Sequence, residues 1–87
     1  MSQETFNGWT NYSTWNVSLY IQNEYNLYKA AQSYVSYQRE MGETVEYDDF
    51  IQWFDLDGNV TPDGVSWTHP ELDTLELNEM LNELVDS

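Results

Sequence analysis

Apolar residues recur at helical spacing near the end of the chain. Leu77, Met80, Leu81, Leu84 and Val85 stand at i, i+3, i+4, i+7 and i+8, the stripe of an amphipathic helix with one face on a core. Asp73 and Glu76 read as its capping pair, and Pro70 suits a first helical turn. Residues 24–40 carry a second stripe, in which Tyr28, Ala31 and Val35 are flanked by Leu27 and Tyr34. Asn23 can cap this helix, Gly42 can end it, and Arg39 in the last turn suits the helix dipole. Tyr47, Phe50, Ile51 and Phe54 repeat i, i+3, i+4, i+7 and predict a third helix over 45–55. Thr44 is its expected N-cap, with Glu46, Asp48 and Asp49 in the first turn.

Two segments read less simply. Over residues 11–22, Trp15, Val17, Leu19 and Ile21 alternate with Asn16, Ser18 and Tyr20, which is strand periodicity. Asn11 or Ser13 could equally cap a short helix running to Asn23, and the pattern leaves both forms open. Residues 55–67 form a loop with turn signals at Asp57-Gly58 and Pro62-Asp63-Gly64. Val60 and Val65 flank the second turn, so a small β-hairpin can form near 60–66. The expected fold is mainly α, three to four short helices in one compact acidic domain over 10–87, behind a flexible N-terminus at 1–9.

Charge sharpens this picture. The 87 residues hold sixteen acids and two bases, a formal charge of −14. Residues 1–42 sum to −1 and residues 43–87 to −13. The first half instead holds nine of the fourteen aromatic rings, enough apolar mass for a folded domain despite the charge. Such an excess opposes direct binding to nucleic acid or anionic lipid, both polyanions, and favours a basic protein partner. No stretch is apolar enough for a membrane span, and Met1-Ser-Gln-Glu-Thr has no signal-peptide character. A cytoplasmic location is therefore expected. With no cysteine there is no disulfide framework, which fits a reducing compartment.

Candidate chemistry is sparse. Asp55-Leu56-Asp57-Gly58-Asn59 imitates the start of a calcium loop, but its glycine falls at the fourth position instead of the sixth, and Ser66 stands where the twelfth-position Glu belongs. Neither a metal nor a cofactor is expected. His69 is the sole histidine, with no nucleophile motif, P-loop or zinc-binding pair beside it, and the chain has little to stabilise developing negative charge. An enzyme is not expected. What stands out is a run of acids without cations. On a helix, Glu76, Glu79, Glu83 and Asp86 lie three or four residues apart, roughly 5–6 Å from one another. That spacing is on the scale of phosphates along a nucleic-acid strand. The bland alternative is a solvated, solubilising face. Repulsion within the run costs stability in a small domain, which favours a functional reading.

Residues 7–31, NGWTNYSTWNVSLYIQNEYNLYKAA, are similar to a small family of uncharacterised proteins encoded by bacteriophages and by bacteria carrying phage-derived DNA. The resemblance rests on the Asn-Tyr-x-Thr-Trp-Asn-Val segment, here Asn11, Tyr12, Thr14, Trp15, Asn16 and Val17, on Leu27-Tyr28, and on Thr-Pro-Asp-Gly-Val at 61–65. It implies an intracellular site of action and favours helix over 14–22. It supplies no activity. Within the motif, Trp15 and Asn16 are expected to be structural, with Asn16 bonding buried backbone.

The expected function is that of a phage-type inhibitor that binds a basic host protein by DNA mimicry. Glu76, Glu79, Glu83 and Asp86, with Asp48, Asp49, Asp55 and Asp57, would occupy a nucleic-acid-binding site. Restriction enzymes, CRISPR effectors, repair glycosylases, nucleoid proteins and transcription machinery are the target classes. The alternative is a non-enzymatic adaptor whose exposed aromatics form a homodimer or hetero-oligomer, with acid serving solubility alone.

Overall fold

A computed structural model describes residues 6–86, with side chains to Val85; the portion of the N-terminal segment at 1–5 and the Asp86 side chain lie outside the described residues. Among the described residues four helices follow in order: α1 (Tyr12–Asn23), α2 (Tyr25–Met41), α3 (Tyr47–Trp53) and α4 (Thr74–Asp86). α2 packs on both α1 and α4, α1 also meets α4, and the short α3 packs on α4. Among the described residues no sheet forms.

The core is built from one face of each helix. Val17 and Ile21 meet Ala31, Tyr34 and Val35, then Phe50 and Ile51, then Leu77, Met80 and Leu81. α4 and α2 form where their apolar stripes predict. Gly42, in the left-handed region at φ 75°, ends α2 as expected. Its amide donates to Arg39 O and the Glu43 amide to Gln38 O, satisfying carbonyls the last turn leaves open. Arg39 Nη2 crosses to Asn82 O at 3.0 Å, joining α2 to α4.

Several expectations change in detail. α1 is a helix, so the strand reading of 11–22 is set aside, and Asn11 caps it by accepting from the Thr14 amide at 2.9 Å. Glu24, not Asn23, is the N-cap of α2; Asn23 turns back to donate to Leu19 O at 2.9 Å. α3 runs only from Tyr47 to Trp53 with Glu46 at its N-cap in extended backbone, because Val45 is drawn into the core and Thr44 spends its hydroxyl on Glu46 Oε2. Pro70 precedes α4 and does not occupy its first turn, since Asp73 is the residue that caps the helix by accepting from the Glu76 amide.

No hairpin forms at 60–66. Val60 and Ser66 make one isolated antiparallel bridge. Between them, Thr61 O accepts from the Gly64 amide at 2.8 Å, with Pro62 and Asp63 at the turn's centre. This turn points its Thr and Asp side chains at α1. Residues 6–9 form a second tight turn, Phe6 and Trp9 exchanging both backbone hydrogen bonds at 2.7 and 2.8 Å. Asn7 and Gly8 sit at its apex with φ 50° and 88°, a conformation to which Asn-Gly is well suited. The Phe6 ring lies 4.8 Å from Trp15 and 5.2 Å from Tyr12.

Candidate functional site: an acidic cleft on an aromatic floor

The start of α4 is clamped from two sides. Thr10 donates its amide to Glu76 Oε1 and its hydroxyl to Asp73 Oδ2, both at 2.9 Å. From α1, Thr14 Oγ1 accepts the Asp73 amide at 3.0 Å while its own proton goes to Asn11 Oδ1 at 2.7 Å. Asn11 Nδ2 in turn donates to Glu71 O at 2.7 Å. The capping box is therefore half built. Asp73 serves the Glu76 amide, but Glu76 does not return to the Asp73 amide and bonds the N-terminal segment instead. Bonds from the Glu76 amide and the Thr10 hydroxyl hold the Asp73 carboxyl below its ordinary value, outweighing partial burial that acts the other way.

This clamp places the Phe6–Trp9 turn beside α4. Gly8, Trp9, Gln22, Glu76, Glu79, Met80 and Glu83 then enclose a cleft of about 230 Å³. Its acids come from successive turns of α4, and its apolar surface from the Trp9 indole and the Met80 thioether. Glu79 and Glu83 are exposed, and Glu76 is half-buried. Carboxylates spaced along one helix edge, in a cleft that an indole also lines, suit a cation on an apolar stem, as in a lysine or arginine side chain.

The predicted acidic residues divide into two groups, Asp86 apart, whose side chain lies outside the described residues. Glu76, Glu79 and Glu83 share the cleft. Asp48, Asp49, Asp55 and Asp57 do not line it. They belong to α3 and the turn after it, and α3 meets α4 through Asn78, whose Oδ1 accepts the Tyr47 amide. At 100° per residue, Asn78 lies well round α4 from Glu76 and Glu79. Asp49 has a structural task, accepting from the Tyr34 hydroxyl at 2.9 Å. Asp55 stands at φ 56° and accepts on its carbonyl from Asn59 Nδ2 at 3.1 Å, so the calcium-like run is a closed turn. His69 Nδ1 accepts from the Glu71 amide at 3.0 Å.

The Asn-Tyr-x-Thr-Trp-Asn residues form the hub of the fold. Asn16 is fully buried. It bonds side chains and not the backbone expected for it: Oδ1 accepts from Thr61 Oγ1 at 2.7 Å, and Nδ2 donates to Asp63 Oδ2 at 2.9 Å. The two sequence motifs thus meet in space. Asp63 also accepts from Tyr20 Oη at 3.1 Å; burial, then this bond, raises the Tyr20 phenol above its ordinary value. The Tyr12 and Trp15 rings pack at a tilt of 41°, their centroids 5.6 Å apart, beside Phe6.

Sequence reasoning missed Trp9, Gln22 and Met80 as cleft residues, and Asp63 as the partner of Asn16. The Asn7-Gly8 dipeptide between two aromatics was the available signal for the ordered turn. Nothing local announces that this turn docks on a helix almost seventy residues later.

Fold and cleft together define a small, predominantly helical domain with an acidic, aromatic-floored groove and, among the described residues, no helix long and apolar enough to cross a membrane. The chain belongs to the Family of unknown function (DUF7249), whose model matches residues 2–87. Neither the curated proteins nor the solved structures yield a match.

Proposed function

We propose that this protein is a non-enzymatic binder of basic, nucleic-acid-binding proteins, and that Glu79 and Glu83 stand in for consecutive phosphates. The observation that carries this reading is the cleft itself, which three acidic residues of α4 line together with Trp9 and Met80. A lysine or arginine of the partner would lay its stem on the indole and its charge between the carboxylates, gaining cation–π as well as Coulomb attraction. The net charge of −14 would steer such a partner over a distance and repel nucleic acid itself. The phage-type sequence resemblance fits a host protein as target, met in the cytoplasm, with inhibition following from occupation of its nucleic-acid site. Asp48, Asp49, Asp55 and Asp57 would add to the field without sharing the cleft.

The geometry refines the test. Glu76 holds Thr10 and so supports the fold, whereas Glu79 and Glu83 are exposed. The immobilised protein and its Glu79→Lys/Glu83→Lys variant would be used to capture proteins from bacterial lysate at low and high salt. Capture of nucleic-acid-binding proteins that the variant loses, that salt weakens, and that duplex DNA competes away is expected. Capture unaltered by the double substitution or by competing DNA would refute the proposal.

A further inference from the structure

The outer face of α2 carries a pattern that the acidic cleft leaves unexplained. Lys29, Ser33, Ser36 and Glu40 follow one another at spacings of four, three and four along α2. They fall within an arc of about 60° at 100° per residue. All four are exposed, and with Gln32 and Tyr37 they line a shallow groove of about 390 Å³. The groove is self-complementary in sequence. About the midpoint between Tyr34 and Val35, Lys29 mirrors Glu40, Gln32 mirrors Tyr37, and Ser33 mirrors Ser36.

We infer that this face binds a second copy of the chain, with the two α2 helices antiparallel about a twofold axis at that midpoint. A twofold interface requires each residue and its mate to exchange places between subunits. Here the exchange sets Lys29 against the partner's Glu40 twice over and leaves the small serines at the crossing, where helix backbones come closest. Lys29 and Glu40 are about 16 Å apart along one helix, too far to pair within the chain. Charge on the rest of the molecule selects the same face. α2 holds both basic residues and one acid, a sum of +1, whereas residues 43–87 sum to −13. α2 itself is close to neutral, so pairing through it adds the least like-charge repulsion between two acidic copies. Tyr37, 46 % exposed and 5.2 Å from the equally exposed Trp53, adds an apolar rim. This surface is independent of Glu79 and Glu83, so the proposed partner binding can fail while it stands.

Sedimentation equilibrium of the full chain from about 10 µM to about 1 mM covers the range in which an interface of less than standard size associates. A reversible monomer–dimer equilibrium is expected. Lys29→Glu or Glu40→Lys alone places like charges opposite each other twice and should weaken dimerisation by about tenfold. The double variant Lys29→Glu/Glu40→Lys restores opposite pairing and should recover the original affinity. Helical content by circular dichroism should stay constant throughout, because both side chains are exposed. A wild-type chain that sediments as monomer at every concentration overturns the inference, as does a double variant no tighter than its singles.

Discussion

Asn16 and Thr61, forty-five residues apart, share a buried 2.7 Å hydrogen bond that joins α1 to the Pro62-Asp63-Gly64 turn. The remaining capacity of each group is also used: Asn16 Nδ2 donates to Asp63, and Thr61 Oγ1 accepts from the Val65 amide at 3.2 Å. Among the described residues no buried side-chain nitrogen or oxygen lacks a partner. Asn16→Ala should therefore cost about 1–3 kcal/mol, the usual penalty when a buried polar group loses its mate. Thr61→Val should cost less when Asn16 is already Ala than in the wild type, and a double-mutant cycle by urea denaturation reads that coupling. Strict additivity of the two would disconnect them.

Asp73 is a cap whose benefit depends on pH. Its folded-state pKa lies below the ordinary 3.8, through the Glu76 amide first and the Thr10 hydroxyl second. The sign follows. The stabilisation is fully present above the unfolded value and is lost as pH falls through the lowered folded value. Asp73→Ala should destabilise by about 1 kcal/mol at neutral pH, and the gap to wild type should narrow in acid. Asp73→Asn keeps an acceptor for the amide but not the titration, so its stability should lack this component of the pH slope. Urea midpoints of the three proteins between neutral pH and pH 2 decide it.

How much of this was legible in the sequence depended on what each helix buries. α4 and α2 bury hydrocarbon at helical spacing, and their periods stood out. α1 buries Thr14, Val17, Ser18 and Ile21 on one helical face, half of it polar, and Asn16 on another side. Counting apolar residues alone therefore returned a false alternation through Trp15 and Leu19. The polar members are tolerated inside because Asn11, Asp73 and the backbone satisfy them. The expected hairpin failed for a related reason: Thr61 and Asp63 face Asn16 across the core edge, a long-range demand that local turn signals cannot express. Of the candidate site, the helix edge bearing Glu76, Glu79 and Glu83 was readable. Its floor was not, because Trp9 and Gln22 reach it only through tertiary packing.

Tyr34 offers a test at the alkaline end. Its fully buried ring sets the hydroxyl between the Glu46 backbone and Asp49, accepting the Glu46 amide at 3.1 Å and lying 2.9 Å from Asp49 Oδ2. Burial first pushes its pKa from 10.0 to about 12, against the Glu46 backbone bond that lowers it and with the Asp49 bond that raises it. A raised folded value means stability held below the unfolded pKa and lost as pH climbs through the folded one. Unfolding should thus steepen between pH 10 and about 12. Tyr34→Phe should lose about 1–2 kcal/mol at neutral pH, leaving the Glu46 amide without its acceptor, and should show a shallower alkaline slope. Chemical denaturation of both proteins across that range measures it.

Glu83 should weaken the fold it sits on. It follows Glu79 by one helical turn and lies in the last turn of α4, where no base offsets the negative end of the helix. Like charges at i, i+4 cost a few tenths of a kcal/mol, and an anion at a helix C-terminus costs a similar amount. Glu83→Lys reverses both effects and should raise stability by about 0.5–1 kcal/mol. Added salt should raise the wild-type melting temperature more than the variant's, because screening relieves only the repulsion that remains. The same substitution removes one of the two carboxylates assigned to the basic partner. A variant that is more stable and binds less would mean the acidic edge is kept at the expense of stability. A less stable variant would mean that Glu83 contributes to folding, and the thermal melt separates the two outcomes.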